Sequence, residues 1–275
     1  MTEPYIDDAL IDIDNDGVDD GLFNGALPRE DNYGENFRTF ASEFDVIPRD
    51  QWKDLAAAIT DAGSIEALIQ KIKNQGREGT CTSQQTASAI EVIWNLTFSP
   101  KHWVELSPIS LYKQCARGPN TGSSVSCIMK TAQVKGALPV GTPENLAWME
   151  EMGLNTAHVM DPTGFYQKYP QDWEQTAQYF RVDEVFDINS FDEFITALLM
   201  GFPVSYGRAG HSILGVRLVF KDGKPYIKYL NSWGDWGDDG YGYDSERFVA
   251  GSISKYGAFA VRSVHVPHFM TGGKA

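Results

Sequence analysis

The sequence predicts an α+β protein, with helices crowding the first half and short strands the second. Three observations carry this. Between Trp52 and Lys135, apolar residues recur at helical spacing between glycine-rich breaks. After Phe202, the runs PVSYG, HSILGVRLVF, KPYIKYLNSW and AFAVRSVHV are β-rich or alternate apolar with polar residues. Asp222-Gly223, inside KDGK, is a hairpin turn joining two of these runs. The expected organisation is an arm over residues 1–45 and a folded body over 46–275. Within that body a helical lobe runs to about 180 and a β lobe covers about 181–265.

The elements follow in order. Residues 1–45 are rich in Asp, Asn and Gly with little periodicity, and read as an extended or disordered arm. Trp52–Thr60 is a short helix. In SIEALIQKIK, Ile65, Leu68, Ile69 and Ile72 keep helical spacing behind Ser64 as N-cap, which predicts a helix over Ser64–Lys73. The loop KNQGREGT follows. Cys81 then opens a long helix with Thr80 as its N-cap and Ala87, Ile90, Ile93 or Trp94, and Thr97 on its inner face. Ser107–Cys115 and Ser126–Lys135 are shorter helices, the latter with Gly136 as C-cap. Asp172–Tyr179 and Phe191–Met200 complete the helical set before the strands begin.

Charge separates the arm from the body. The chain of 275 residues carries a formal −14. Residues 1–50 hold 14 acidic and 3 basic residues, so −11 lies there and −3 in the rest. Neither part offers the basic face that nucleic acid or an anionic membrane surface requires. No apolar run reaches the ~18 residues of a membrane span. The start, MTEPYIDDALIDIDNDG, lacks the basic and apolar regions of a Sec signal peptide, which points to the cytoplasm, a virion or another delivery route. Three cysteines, Cys81, Cys115 and Cys127, are too few for a disulfide scaffold and leave at least one thiol free.

Within the arm, Asp12, Asp14, Asp16, Gly17, Asp19 and Asp20 form an alternating acidic run. Alternate carboxylates before a turn glycine gather oxygen ligands around a hard cation such as Ca2+. The run resembles the start of an EF-hand or dockerin-type repeat, with Asp12, Asp14, Asp16 and Asp20 as the ligands. Its twelfth position is Phe23, where an EF-hand has Glu. A calcium loop and a plain solvated or docking arm both remain open.

The chemistry rests on three side chains. Cys81 follows a glycine loop at a helix start, where free N–H groups and the helix dipole favour a thiolate. His211 stands at the mouth of an apolar strand, and Asn231 ends the next strand across the Asp222-Gly223 hairpin. Their offsets from the turn are 11 and 9 residues, which places them roughly opposite one another. An amide oxygen there can orient an imidazole.

The blocks KNQGREGTCTSQQTASA, GHSILGV and YLNSWGDWGDDGYGY together resemble the papain-like cysteine peptidases. His211 and Asn231 follow Cys81 by 130 and 150 residues, matching that family's spacing. IPRDQW and LSPISLYKQC resemble its mature start and a later helix, so the resemblance runs from about Ile47 to about Val264. It implies a two-lobed fold with a cleft between helical and β lobes. It also implies an endopeptidase that works through a thioester on Cys81, without a catalytic cofactor, on a polypeptide substrate. His211 would be the proton carrier and Asn231 its orienting partner. Gln75 and the backbone N–H of Cys81 would be the oxyanion donors, and Trp233 the cover of the pair.

The chain departs from the family in several places. Glu78 replaces a cysteine and Thr82 an aromatic residue. The family's paired cleft glycines are expected near Ser126–Cys127, where side chains would narrow the cleft. Cys115 and Cys127 could pair, though sequence does not set their separation. These departures keep two alternatives in play: a catalytically silent docking module of a larger assembly, or a hydrolase of peptidoglycan peptides. The family's helical propeptide has no counterpart in the acidic arm.

Overall fold

A computed structural model describes residues 25–29, 37–98, 103–208 and 210–267. The acidic run Asp12–Asp20 lies outside them. Among the described residues, no group of three or more His, Cys, Asp or Glu could hold a metal ion. No described helix is long and apolar enough to cross a membrane.

The order of elements is helices first, sheet later. Strand β1 (Arg38–Thr39) is followed by helices α1 (Trp52–Ala58), α2 (Cys81–Phe98), α3 (Pro108–Tyr112), α4 (Val125–Val134), α5 (Pro143–Glu151) and α6 (Glu174–Ala177). Then come β2 (Val182–Asp187), α7 (Phe191–Leu199), β3 (Val204–Arg208), β4 (His211–Lys221) and β5 (Lys224–Leu230). The chain closes with α8 (Trp236–Asp239), β6 (Tyr241–Ser245), α9 (Glu246–Tyr256) and β7 (Ala258–Val264). The sheet runs β1-β2-β7-β3-β4-β5-β6, parallel only where β1 meets β2. The α+β expectation therefore holds.

Helix α2 is the axis of the molecule. Its side chains from Cys81 to Asn95 are all buried, packed against α3 and α4 on one side and β3, β4 and β7 on the other. Within α2, Ala87, Ala89, Ile90, Val92, Ile93 and Trp94 belong to the main core. A helix buried on every face suits a central position between layers. One charge inside this core is matched: Lys73 Nζ donates to Glu91 Oε1 at 2.7 Å, both side chains being nearly inaccessible. Glu91 Oε1 also accepts the Leu106 N–H at 2.6 Å.

Two expectations change. The predicted helix over Ser64–Lys73 survives only as a 3-10 turn over Ile65–Leu68, capped by Ser64 Oγ. Beyond it, residues 73–75 pair with the turn after β5 instead. Gln75 N–H donates to Ser232 O, Gly234 N–H donates to Lys73 O, and Asn74 bridges Trp233. Tertiary pairing has overridden local propensity there. The arm also does not end at residue 45. Phe37 and Phe40 are buried in the main core, Phe44 packs on Phe186 at 5.1 Å, and β1 lies in the sheet. Phe37, Phe40 and Phe44 sit at apolar spacing i, i+3, i+7, a signal hidden by the surrounding charge.

Candidate active site

Three elements deliver the central residues. Cys81 opens α2, His211 opens β4, and Asn231 follows the last residue of β5. The Asp222-Gly223 turn is as predicted: both residues have positive φ, 49° and 75°, and Lys221 faces Lys224 across it. Positive φ at both central positions is the conformation that Asp-Gly adopts in two-residue hairpins. A register shift between Gly215 and Arg217 then offsets the strands on the way to the site.

At the base of that hairpin, His211 Nε2 donates to Asn231 Oδ1 at 2.7 Å. The backbone N–H of Ser232 donates to the same oxygen at 2.8 Å. Two donors on Oδ1 fix the amide orientation and put the imidazole hydrogen on Nε2, leaving Nδ1 as the acceptor of the neutral ring. Trp233 stacks on the imidazole with centroids 4.5 Å apart, and Trp236 meets Trp233 edge-on at 5.2 Å. The pair is shielded from water on that side, which strengthens its hydrogen bond.

Cys81 is the free cysteine and is wholly buried. Thr80 supplies its carbonyl to the N–H groups of Ser83 and Gln84, while its hydroxyl accepts from the Gln84 side chain at 3.1 Å. The backbone N–H groups of Ser212, Thr82 and Cys81 itself face the sulfur. The Ser212 contact puts the residue adjoining His211 against the thiol. Burial pushes the Cys81 thiol up to about 12, against the pull of those three N–H groups. Burial also pushes His211 down to about 3; the Asn231 hydrogen bond opposes this shift and the Arg208 charge reinforces it. In this covered state both groups are neutral.

Gln75 is nearly inaccessible, and its amide is held at both ends. Its Nε2 donates to Glu78 O at 2.9 Å, and its Oε1 accepts from Ser232 Oγ at 2.7 Å. Ser232 thus links Gln75 to the Asn231 turn. Glu78 points away from the thiol, its Oε1 accepting from the N–H groups of Gly164 and Phe165 at 3.0 and 3.3 Å. Thr82 Oγ1 lies 2.6 Å from Ser123 Oγ.

Ser126 and Cys127, expected at the cleft wall, lie in α4. Cys127 is bonded to Cys115, and its N–H is capped by Ser124 Oγ at 3.2 Å. Ser126 is fully buried beside Ser124. Both belong to the first turn of α4, so their backbones are committed to the helix. The backbone left free to pair outside the helix is that of Ser123, two residues before α4.

What meets Ser123 is a segment that sequence reasoning did not place. Residues 25–29 cross directly over Cys81 as a strap. A Cβ built on Gly25 would stand 2.4 Å from the Cys81 sulfur and 3.0 Å from the Gly210 carbonyl. Only glycine fits so close an approach. Gly25 N–H donates to Gly210 O at 3.1 Å, Ser123 N–H donates to Gly25 O at 2.9 Å, and Leu27 N–H donates to Ser123 O at 3.0 Å. The Gly25 carbonyl is thereby turned to Ser123. Two surface cavities, one of about 220 Å3 lined by residues including Ile59, Leu198 and Val216 and another beside Lys224 and Ala250, do not border Cys81. The only sequence signal for the strap was a glycine in an acidic context.

A long buried helix with a cysteine at its start, facing a His–Asn pair at the base of a β hairpin, defines the papain-like fold. Solved structures agree with it. The chain is similar to xylellain, a cysteine protease from Xylella fastidiosa, with TM-score 0.60 and 16% identity over 89% of this chain and 98% of that one. It is similar to procathepsin L 3 of the Tenebrio molitor larval midgut, with TM-score 0.59 and 16% identity over 89% and 77%. It is also similar to procathepsin B S9 from Trypanosoma congolense, with TM-score 0.54 and 14% identity over 88% of each. No protein-family model and no curated protein sequence matches the chain.

Proposed function

We propose that this protein is a cysteine endopeptidase, latent while the strap lies over its thiol. The observation that carries this is the 2.7 Å bond from His211 Nε2 to Asn231 Oδ1, with the Ser212 N–H beside it facing the thiol of the cysteine that opens α2. With the strap withdrawn and the site hydrated, His211 Nδ1 takes the Cys81 proton and the thiolate attacks a peptide carbonyl. The N–H groups of Cys81 and the Gln75 side chain hold the developing oxyanion. The imidazolium returns its proton to the leaving amine as the C–N bond breaks, leaving a thioester. Water, deprotonated by the imidazole, then attacks the thioester carbon and releases the acid and the thiol.

The test uses the full chain carrying Gly25→Val, whose new Cβ collides with the Cys81 sulfur and lifts the strap. A peptidyl epoxide should modify this variant at Cys81, and unfolded protein should be hydrolysed. Adding Cys81→Ala should abolish both. Hydrolysis that persists with Cys81→Ala, or none at all in a folded Gly25→Val protein whose thiol alkylates readily, refutes the proposal. The second result would favour the docking-module alternative, for which a permanently covered thiol is no handicap.

A further inference from the structure

The strap is anchored in an uneven way. Leu27 and Pro28 face outward, so apolar burial contributes little along that stretch. Holding it are the backbone bonds around Ser123 and Gly210, the Arg29 N–H to Lys255 O at 2.9 Å, and one inserted side chain. Arg29 forks onto Asp187, with Nη1–Oδ1 at 3.2 Å and Nη2–Oδ2 at 2.6 Å. The Asp187 side chain is only 5% exposed. Its carboxylate has no other ion-pair partner among the described residues. Asp187 ends β2, paired with Phe259 of β7 and Thr39 of β1. The Phe259 ring lies 6.0 Å from the Arg29 guanidinium. The site is therefore a buried acid with an aromatic wall, at the end of a path that starts on the nucleophile. Four residues of extended chain separate the two by about 13 Å.

We infer that Asp187 is a recognition site for a guanidinium or ammonium side chain of a peptide lying along the groove from Cys81, and that Arg29 occupies it in this chain. A buried carboxylate stripped of its cation is strongly disfavoured. An arriving polypeptide with a basic residue at the matching distance relieves that, whereas a neutral one leaves the charge uncompensated. The bidentate geometry selects arginine over lysine. One group thus both latches the strap and sets a preference among its competitors. Burial pushes the Asp187 carboxyl up against the Arg29 pull, which is consistent with a site that depends on its cation.

The inference rests on the peptidase proposal only in taking the groove as a peptide's path, and its test needs no turnover. In the full chain carrying Arg29→Ala, iodoacetamide should alkylate Cys81 at least about tenfold faster than in the unaltered protein, the scale of one lost charge-assisted contact. Arg29→Lys, which keeps the charge but not the fork, should alkylate at a rate between the two, which separates latching from a folding defect. Millimolar capped Gly-Ala-Leu-Pro-Arg should then protect the Arg29→Ala thiol, while Gly-Ala-Leu-Pro-Ala should not. Adding the isosteric Asp187→Asn should remove that protection. Equal protection by the two peptides, protection by neither, or protection that survives Asp187→Asn overturns the inference. If the arginine peptide protects a protein that never hydrolyses anything, the recognition site stands and the peptidase proposal falls.

Discussion

At Cys81 and His211, the same burial that silences the site writes a pH signature into stability. His211 titrates near 6.5 when unfolded and is pushed down to about 3 here. Below about 6.5 the unfolded chain takes up a proton that the folded chain refuses, so this group's effect is to lower stability as pH falls toward 3. Cys81 has the opposite sign: pushed up to about 12, it lowers stability as pH rises above its ordinary range. The covered form is therefore favoured between those limits. Thermal midpoints should drop on going from pH 7 to pH 5, and the drop should be smaller in His211→Gln. Identical slopes in the two proteins would contradict the burial of a neutral imidazole. The Cys81–His211–Asn231 set was legible because each residue stands at a helix or strand boundary that local pattern marks. Gly25 was not legible, since nothing in GLFNGALP says that its missing Cβ makes room for a sulfur 56 residues away.

Among the elements, α3 and α4 depend on a covalent tie. The Cys115–Cys127 bond joins the residues after α3 to the first turn of α4, closing a loop with a separation of 12 residues. Closing a loop of that size contributes about 2–3 kcal/mol through the unfolded chain. In a protein of this size each kcal/mol moves the midpoint by about 2–4 °C. Cys115→Ser should therefore lower the midpoint by about 4–12 °C, and reduction of the unaltered protein should do the same; scanning calorimetry reads both. The predicted helices that survived, α1, α2, α3, α4, α6 and α7, are those that turn buried residues toward a layer of the core. The stretch after Leu68 had the spacing, and Ile69 and Ile72 still pack on the main core, but it forms no helix. Its backbone is needed by Ser232 and Gly234 to complete the bridge that carries Gln75, and one-dimensional periodicity cannot reveal such a demand.

Across the whole molecule, the segment bearing Gln75 and the helix bearing Cys81 are pinned by Lys73–Glu91. Burial pushes the Glu91 carboxyl up, opposed by Lys73, so removing the cation leaves an uncompensated acid in the core. Lys73→Met should cost about 3–5 kcal/mol in denaturant unfolding. A value within error of zero would mean that Glu91 is already neutral and that the pair adds no charge pairing. The order of lobes was readable from the sequence because the change from helical to alternating pattern falls where the layers meet. The boundary of the arm was misread because net charge averages over Phe37, Phe40 and Phe44, which pack on the core ahead of residue 45.

The β4–β5 hairpin has one more consequence. Its tip at Asp222-Gly223 lies eleven residues from His211, roughly 36 Å of strand. Imidazole and amide are set at its base by pairs such as Leu214 with Leu230, below the register shift. The tip is exposed and carries no side chain that the base requires. A peptide tag or fluorescent domain spliced between Asp222 and Gly223 would thus ride at the far end of the hairpin, attached to the strands that carry the site yet outside its chemistry.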